Sequence, residues 1–252
     1  MHPARAHRLL FTVCLAAHLP LAAQQSDNAS RPWNVGLSQD VTRYTNVLNS
    51  SSGGVSDTVW TTTLSGGLNV PLGRQRAYAN GALSHTRYSN IDGLDGQGYN
   101  LAAGLDWETV GNLSGNLQAN AGRRQADFNT GVSTATLKNN ESYEELRARA
   151  LLGGVGLLGI EGTLGYRRVG FSAPELDSRE YEQGSGSLGV IYRPSSALSL
   201  GTGLAVQESD YDVPSFGQSQ PDSSSRRDLY VTADWTATGA STLGTRLNFG
   251  KT

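Results

Sequence analysis

From about residue 33 onward, apolar residues alternate with small or polar ones in run after run. The 3.6-residue period of amphipathic helices is weak. Tyr99, Leu101, Ala103, Leu105 and Trp107 point one way, while Asn100, Ala102, Gly104, Asp106 and Glu108 point the other. Leu113, Gly115, Leu117, Ala119 and Ala121 oppose Ser114, Asn116, Gln118, Asn120 and Gly122. Leu198, Leu200, Thr202, Leu204 and Val206 form a third such line, and Leu229, Val231, Ala233 and Trp235 a fourth. Less regular runs cover 33–44, 58–70, 76–88, 144–152, 157–168, 185–193 and 241–250. Together they predict eleven strands. Most are near the roughly 9–11 residues that a tilted strand needs to cross a bilayer.

The segments between the runs alternate in length. Long polar connections lie near 45–57, 89–97, 125–142, 170–182 and 208–227. Short turns lie near 71–73, 111, 153–154, 194–196 and 238–240. Outer-membrane barrels have short periplasmic turns and longer extracellular loops, and neither a sandwich nor a solenoid requires this alternation. With the first strand running outward, Trp33, Trp107, Tyr192 and Trp235 fall at the periplasmic interface. Tyr44, Trp60, Tyr99 and Tyr166 fall at the outer one. Two aromatic girdles are what a barrel in lipid requires. The alternative, core aromatics of a soluble sandwich, leaves their clustering at strand ends unexplained.

Composition adjusts this picture. The 252 residues include 31 glycines, and the formal net charge is −2. Such a balance gives no reason to expect nucleic acid as a partner. The mean hydropathy of −0.36 excludes a bundle of transmembrane helices but not a barrel, in which every second strand residue faces lipid. Arg5 and Arg8, the apolar run from Leu9 to about Ala17, and Ala22-Ala23 before Gln24-Gln25 have the form of a secretory signal peptide over 1–24. Its removal takes away Cys14 and every histidine but His85. Disulfides and Cys or multi-His metal sites are thereby excluded, and no cofactor is expected.

The fold expected for residues 25–252 is therefore all-β: an antiparallel up-and-down transmembrane β-barrel with about eleven strands visible. Bacterial single-chain barrels have even strand numbers. The chain ends on Lys251-Thr252 rather than on an aromatic residue. The expectation is a barrel incomplete at the C-terminus, in the outer membrane of a Gram-negative bacterium, with outer-membrane lipid as its partner.

The inward positions carry the candidate chemistry. They are Asp106, Glu108, Arg124, Glu145, Arg147, Arg149, Glu161, Arg167, Arg193, Asp234 and Arg246. Arg offers planar paired donors to carboxylates, including those of acidic sugars. The same residues also suit a network of neutralising salt bridges that fills a lumen. His85, in Ser84-His85-Thr86-Arg87, is the single histidine available to a barrel enzyme, and no Gly-x-Ser-x-Gly elbow surrounds any serine. The acidic stretches Asp177 to Glu182 and Glu208 to Asp212 lack EF-hand spacing. Gly153-Gly154-Val155-Gly156 has no Lys-Ser/Thr after it and is no phosphate loop.

Arg43-Tyr44-Thr45-Asn46-Val47-Leu48 and Pro71-Leu72-Gly73-Arg74-Gln75-Arg76 resemble signatures of the EpsL-like exopolysaccharide-operon outer-membrane proteins. The stretch Tyr99 to Trp107 and Leu113-Ser114-Gly115-Asn116-Leu117 are similar to that family too. The resemblance is best over about 33–128. It implies a porin-like outer-membrane barrel accessory to exopolysaccharide biosynthesis or export, with polysaccharide or secretion-machinery components as partners and no catalytic residue. The alternatives are a general small-solute diffusion porin and, with less support, a barrel enzyme.

Overall fold

The computed structural model describes residues 31–48, 53–125, 138–211, 222–238 and 241–251. The predicted signal peptide lies outside them, as do parts of the long connections and Gly239-Ala240. The strands are β1 (Trp33–Tyr44), β2 (Asp57–Leu72), β3 (Gln75–Tyr88), β4 (Gly96–Glu108), β5 (Leu113–Gln125) and β6 (Asn140–Leu152). They continue as β7 (Leu158–Phe171), β8 (Tyr181–Ser195), β9 (Leu198–Asp210), β10 (Ser223–Thr238) and β11 (Ser241–Lys251). Two short 3-10 turns, Asp92–Leu94 and Pro174–Arg179, sit in long connections.

All eleven strands form one sheet in chain order. Each is antiparallel to the next, as the alternating pattern predicts. Among the described residues β1 and β11 are the two edges, and they do not meet. Several strands reach further into the long connections than their apolar runs. β10 begins at Ser223 rather than near 229, and β8 at Tyr181 rather than near 185. The reason is that ladder hydrogen bonds need only backbone. Polar pairs such as Arg226 with Gln207 and Glu182 with Arg168 continue the ladder past the last apolar side chain.

The register is staggered. Following partners across the sheet from Trp33 gives Leu68, Ala79, Ala103, Ala119, Leu146, Tyr166, Gly184, Glu208 and Ser225. The row leaves β1 at its short-turn end and reaches β10 at its long-connection end. This slant is the shear that a tilted, curved sheet has to carry.

Local chemistry fixes the pairing. The β2–β3 hairpin closes through Gly73-Arg74, and Gly73 takes a φ of 68°, the conformation a two-residue hairpin asks of its first position. Within the sheet, tyrosines lie across glycines of the neighbouring strand. Tyr78 covers Gly104, Tyr143 covers Gly122, and Tyr230 covers both Gly203 and Gly189. A Cβ at any of these glycines would run into the ring or hydroxyl. The rings thus fill space that glycine leaves, and the pair holds one register.

No second layer covers the sheet among the described residues. Large apolar side chains stand exposed along it, Leu164 at 69% and Leu188 at 64%. The buried apolar residues lie at or beyond the long-connection ends, except Tyr230 within β10. They include Val47, Val59, Tyr88 and Leu94 in one cluster, and Val169, Ala173 and Leu176 elsewhere.

Gly203→Ala is expected to lower the urea midpoint of the folded protein by the equivalent of about 1–3 kcal/mol, because its Cβ meets both Tyr230 and the β8 backbone. Gly184→Ala, with nothing within 4 Å, is expected to leave the midpoint unchanged.

Candidate functional site

Pairing sorts every strand residue onto one of two faces. The inward candidates named from the sequence that take part in pairing share one: Asp106, Glu108, Arg124, Glu145, Arg147, Arg149, Glu161, Arg167, Asp234 and Arg246; Arg193 lies in the bulge just past Tyr192, the last regularly paired residue of β8. The aromatic candidates Trp33, Trp60, Trp107, Tyr166, Tyr192 and Trp235 share the other, as does Tyr99. Tyr44 is the exception. It pairs with Asp57 and lies on the polar face, so it does not belong to the outer line of aromatics. A single residue of parity at the end of β1 decides this.

On the polar face the charges are largely paired. Arg124 holds Glu141 at 3.0 Å, Arg147 holds Glu145 at 2.5 Å, and Arg149 Nε donates to Glu161 at 2.9 Å. Arg76 stands 3.9 Å from Asp106, and Arg226 Nε lies 2.8 Å from Asp228. The neutralising network expected as one reading of these residues is thus present. The pairs are partly exposed, so each contributes about 0–1 kcal/mol. Arg193 instead donates to the Gly153 and Gly156 carbonyls at the β6–β7 turn, at 3.1 and 3.4 Å. Arg246 stacks 4.1 Å above the Tyr230 ring. Arg167 and Asp234 have no ion pair among the described residues.

Sequence reasoning missed Glu141 and Arg226, which fall in stretches read as loop, Asp228, which falls just before the run that begins at Leu229, and Arg76, which opens the run 76–88 whose pattern is among the less regular. It also missed the tyrosines of this face. Tyr78 accepts from Gln118 Nε2 at 3.1 Å, and with Tyr143 and Tyr230 it gives the face aromatic as well as charged character. No signal in one sequence marks them, since their glycine partners lie on other strands.

The opposite face is apolar, and its charges have a simple order. From the short-turn end to the outer aromatic line it carries no charged residue on any strand. Its charged residues, Arg43, Arg87, Arg123, Glu144, Arg168, Glu182, Glu208, Asp210, Arg227 and Lys251, all stand toward the long-connection ends. On β4 the uncharged stretch runs from Trp107 to Tyr99. At about 3.3 Å per residue that is roughly 26 Å along the strand.

His85 lies on the apolar face beyond Leu83, between Thr62 and Gln97. Of the acidic stretches, Glu182 pairs with Arg168 at 3.3 Å, and Glu208 and Asp210 end β9. Among the described residues no three His, Cys, Asp or Glu side chains converge in a way that would hold a metal ion.

Above the polar face, two long connections are tied down. Asp57, 2% exposed, accepts from the Thr58 amide at 2.7 Å, the Asn90 amide at 3.2 Å and Asn90 Nδ2 at 2.9 Å. Burial alone pushes its carboxyl up, but these donors outweigh burial and hold it below the usual carboxylate range. Beside it, burial and then the neighbouring Tyr44, Asp57 and Asp95 raise the Tyr88 hydroxyl. Tyr88 donates its amide to Asp95 at 2.7 Å. Asn139 Oδ1 similarly collects the Ser172 and Ala173 amides, each at 3.2 Å.

No family model and no curated protein matches the chain. Among solved structures it is similar to the β domain of the Bordetella autotransporter BrkA. The identity is 13% and the TM-score 0.38, over 88% of this chain and 93% of that one. At that distance the fold rests on the strand pairing alone.

Because the Asp57 carboxyl is lowered in the folded protein, its tie is fully present above the unfolded value near 3.8 and lost as pH falls through the folded one. Hydrogen-exchange protection of the Thr58 and Asn90 amides is expected to persist at mildly acidic pH and to vanish only below the ordinary carboxylate range. Asp57→Ala is expected to lack that protection at every pH.

Proposed function

We propose that this sheet is the wall of an outer-membrane β-barrel, with the apolar face toward lipid and the polar face lining the interior. The observation that carries the reading is the charge-free band. It crosses all eleven strands. Aromatics edge it on both sides, and charges begin at its outer edge, where Arg87 pairs with Trp60 and Arg123 with Tyr99. A soluble protein gains nothing from leaving so many large apolar side chains exposed in one continuous band. In hydrocarbon the same band is the favourable surface.

Within that frame we propose a porin-like role accessory to exopolysaccharide biosynthesis or export. The sequence resemblance over 33–128 supports it, and so does the chemistry of the polar face. Asn100, Asn116, Gln118 and Asn120 supply amides, the tyrosines supply flat rings, and Arg167 is a cation with no carboxylate holding it. Such a surface suits hydroxylated, partly anionic chains, which need many weak polar partners rather than one tight pocket. The ion pairs keep the passage near neutral, so a long polymer meets no strong trap.

Two adjacent substitutions test the membrane reading. Ala119→Arg, in the band, is expected to cost about 2–4 kcal/mol and to reduce insertion into vesicles. Asn120→Arg, on the polar face, is expected to insert like the unaltered chain. Equal insertion of both would remove the assignment of faces. The export role predicts that a clean deletion strain loses surface polysaccharide while its membrane protein profile is otherwise unchanged. Normal polysaccharide in that strain would remove it.

A further inference from the structure

The apolar face is not uniformly ridged. Between β2 and β7 it carries a hollow of about 640 Å³, continuous through Ala103, Ala119, Leu146 and Tyr166 with a second of about 670 Å³. Small residues on four adjacent strands, among them Gly66, Gly81, Ala103 and Ala121, form its floor.

The charges beyond the band are unevenly divided around this hollow. On β1 to β5 the apolar face holds Arg43, Arg87 and Arg123 and no carboxylate. None of the three has an ion pair among the described residues. On β6 to β9 the same edge holds Glu144, Glu182, Glu208 and Asp210, with Arg168 already committed to Glu182. Arg123 follows Ala121, which lines the hollow, two positions further along the same strand and face, so a cation stands next to the hollow at its outer end. Glu144 borders the hollow on its β6 side and repels an anion from there.

We propose that the hollow and the basic arc above it seat one phosphorylated lipid of the outer leaflet. An acyl chain lies along the floor of small residues, one phosphate rests on Arg123, and Arg87, four residues beyond the Leu83 that shares the Arg123 row, meets a second phosphate further out. The guanidinium fork matches a phosphate with paired donors, and neither arginine is held by a carboxylate in an ion pair. A free phosphate would use the arc and leave the hollow empty. A lipid uses both, and acyl carbon filling the hollow makes contacts that solvent-sized gaps forfeit. The site rests on the membrane reading proposed above.

The test uses the full chain purified in a phosphate-free detergent. The probes are a bis-phosphorylated lipid A, phosphatidylcholine and inorganic phosphate, each mixed into the micelles at matched concentration. Retention of lipid A over phosphatidylcholine is the expected result, with no displacement by inorganic phosphate. Arg87→Gln with Arg123→Gln is expected to weaken lipid A retention about tenfold. Ala103→Leu, which fills the hollow without touching charge, is expected to weaken it as well. Equal retention of the two lipids, displacement by inorganic phosphate, or indifference to both variants would overturn the site. Heat-modifiable gel mobility of the same preparations tests the membrane reading separately, so an inserted protein without lipid preference sinks only this proposal.

Discussion

The backbone ladder is the interaction on which the rest of this molecule depends. Antiparallel partners share a face, so one register error of a single residue would move every side chain of a strand to the wrong side. Ten successive pairings keep parity from Trp33 to Lys251, apart from bulges at the short-turn ends, between Tyr192 and Ser195 and between Thr236 and Thr238. The tyrosine–glycine pairs help to explain how. Tyr230 fits over Gly203 and Gly189, but a shift of two residues would set it against Gly201 or Ala205 and leave the glycine gaps unfilled. A shift of one would turn it to the apolar face. Part of the high glycine content is thus complementary to particular rings.

The strand number, chain-order topology and both faces were legible from period two alone. That pattern is local, and in an up-and-down sheet the local pattern is almost the whole fold. Strand ends were less legible, as at Ser223 and Tyr181, because backbone pairing continues through polar residues that carry no pattern. Parity explains the single misplaced aromatic, Tyr44. That the candidate charged residues share one face was legible for the same reason as the strands. Their partners were not: whether Arg149 meets Glu161 or another acid depends on register between strands, which no single run contains. The Asp57 tie to Asn90 joins two connections and was equally out of reach.

The two faces solve different problems with different chemistry. On the apolar face, the membrane reading proposed above draws stability in lipid from the absence of charge over a continuous band. On the polar face, charges are plentiful and many are paired, so the net field over that face is weak and the exposed pairs add little stability each. The pairs therefore matter more for the charge that the face presents than for holding the sheet together. Those without a carboxylate partner stand out against that background. Arg167 is exposed beside the Arg147–Glu145 pair, and Arg246 is held by a ring rather than an acid. A cation on an aromatic face keeps its charge available while its position is fixed.

Closure is the remaining physical demand of the proposed membrane reading. In hydrocarbon a free sheet edge leaves backbone N–H and C=O groups unpaired at several kcal/mol each. β1 and β11 both run from the short-turn end to the long-connection end, because each strand reverses its neighbour and they are separated by nine others. Direct pairing between them would be parallel, against the antiparallel order of the whole sheet. An antiparallel seam joins them only through a strand of opposite sense, and the side chains of that strand would have to respect the same two faces. The stagger sets its register too, since the shear accumulated from β1 to β11 has to be completed across the seam. The parity that sorts arginines from leucines within each strand is therefore also the rule that any closing strand must obey.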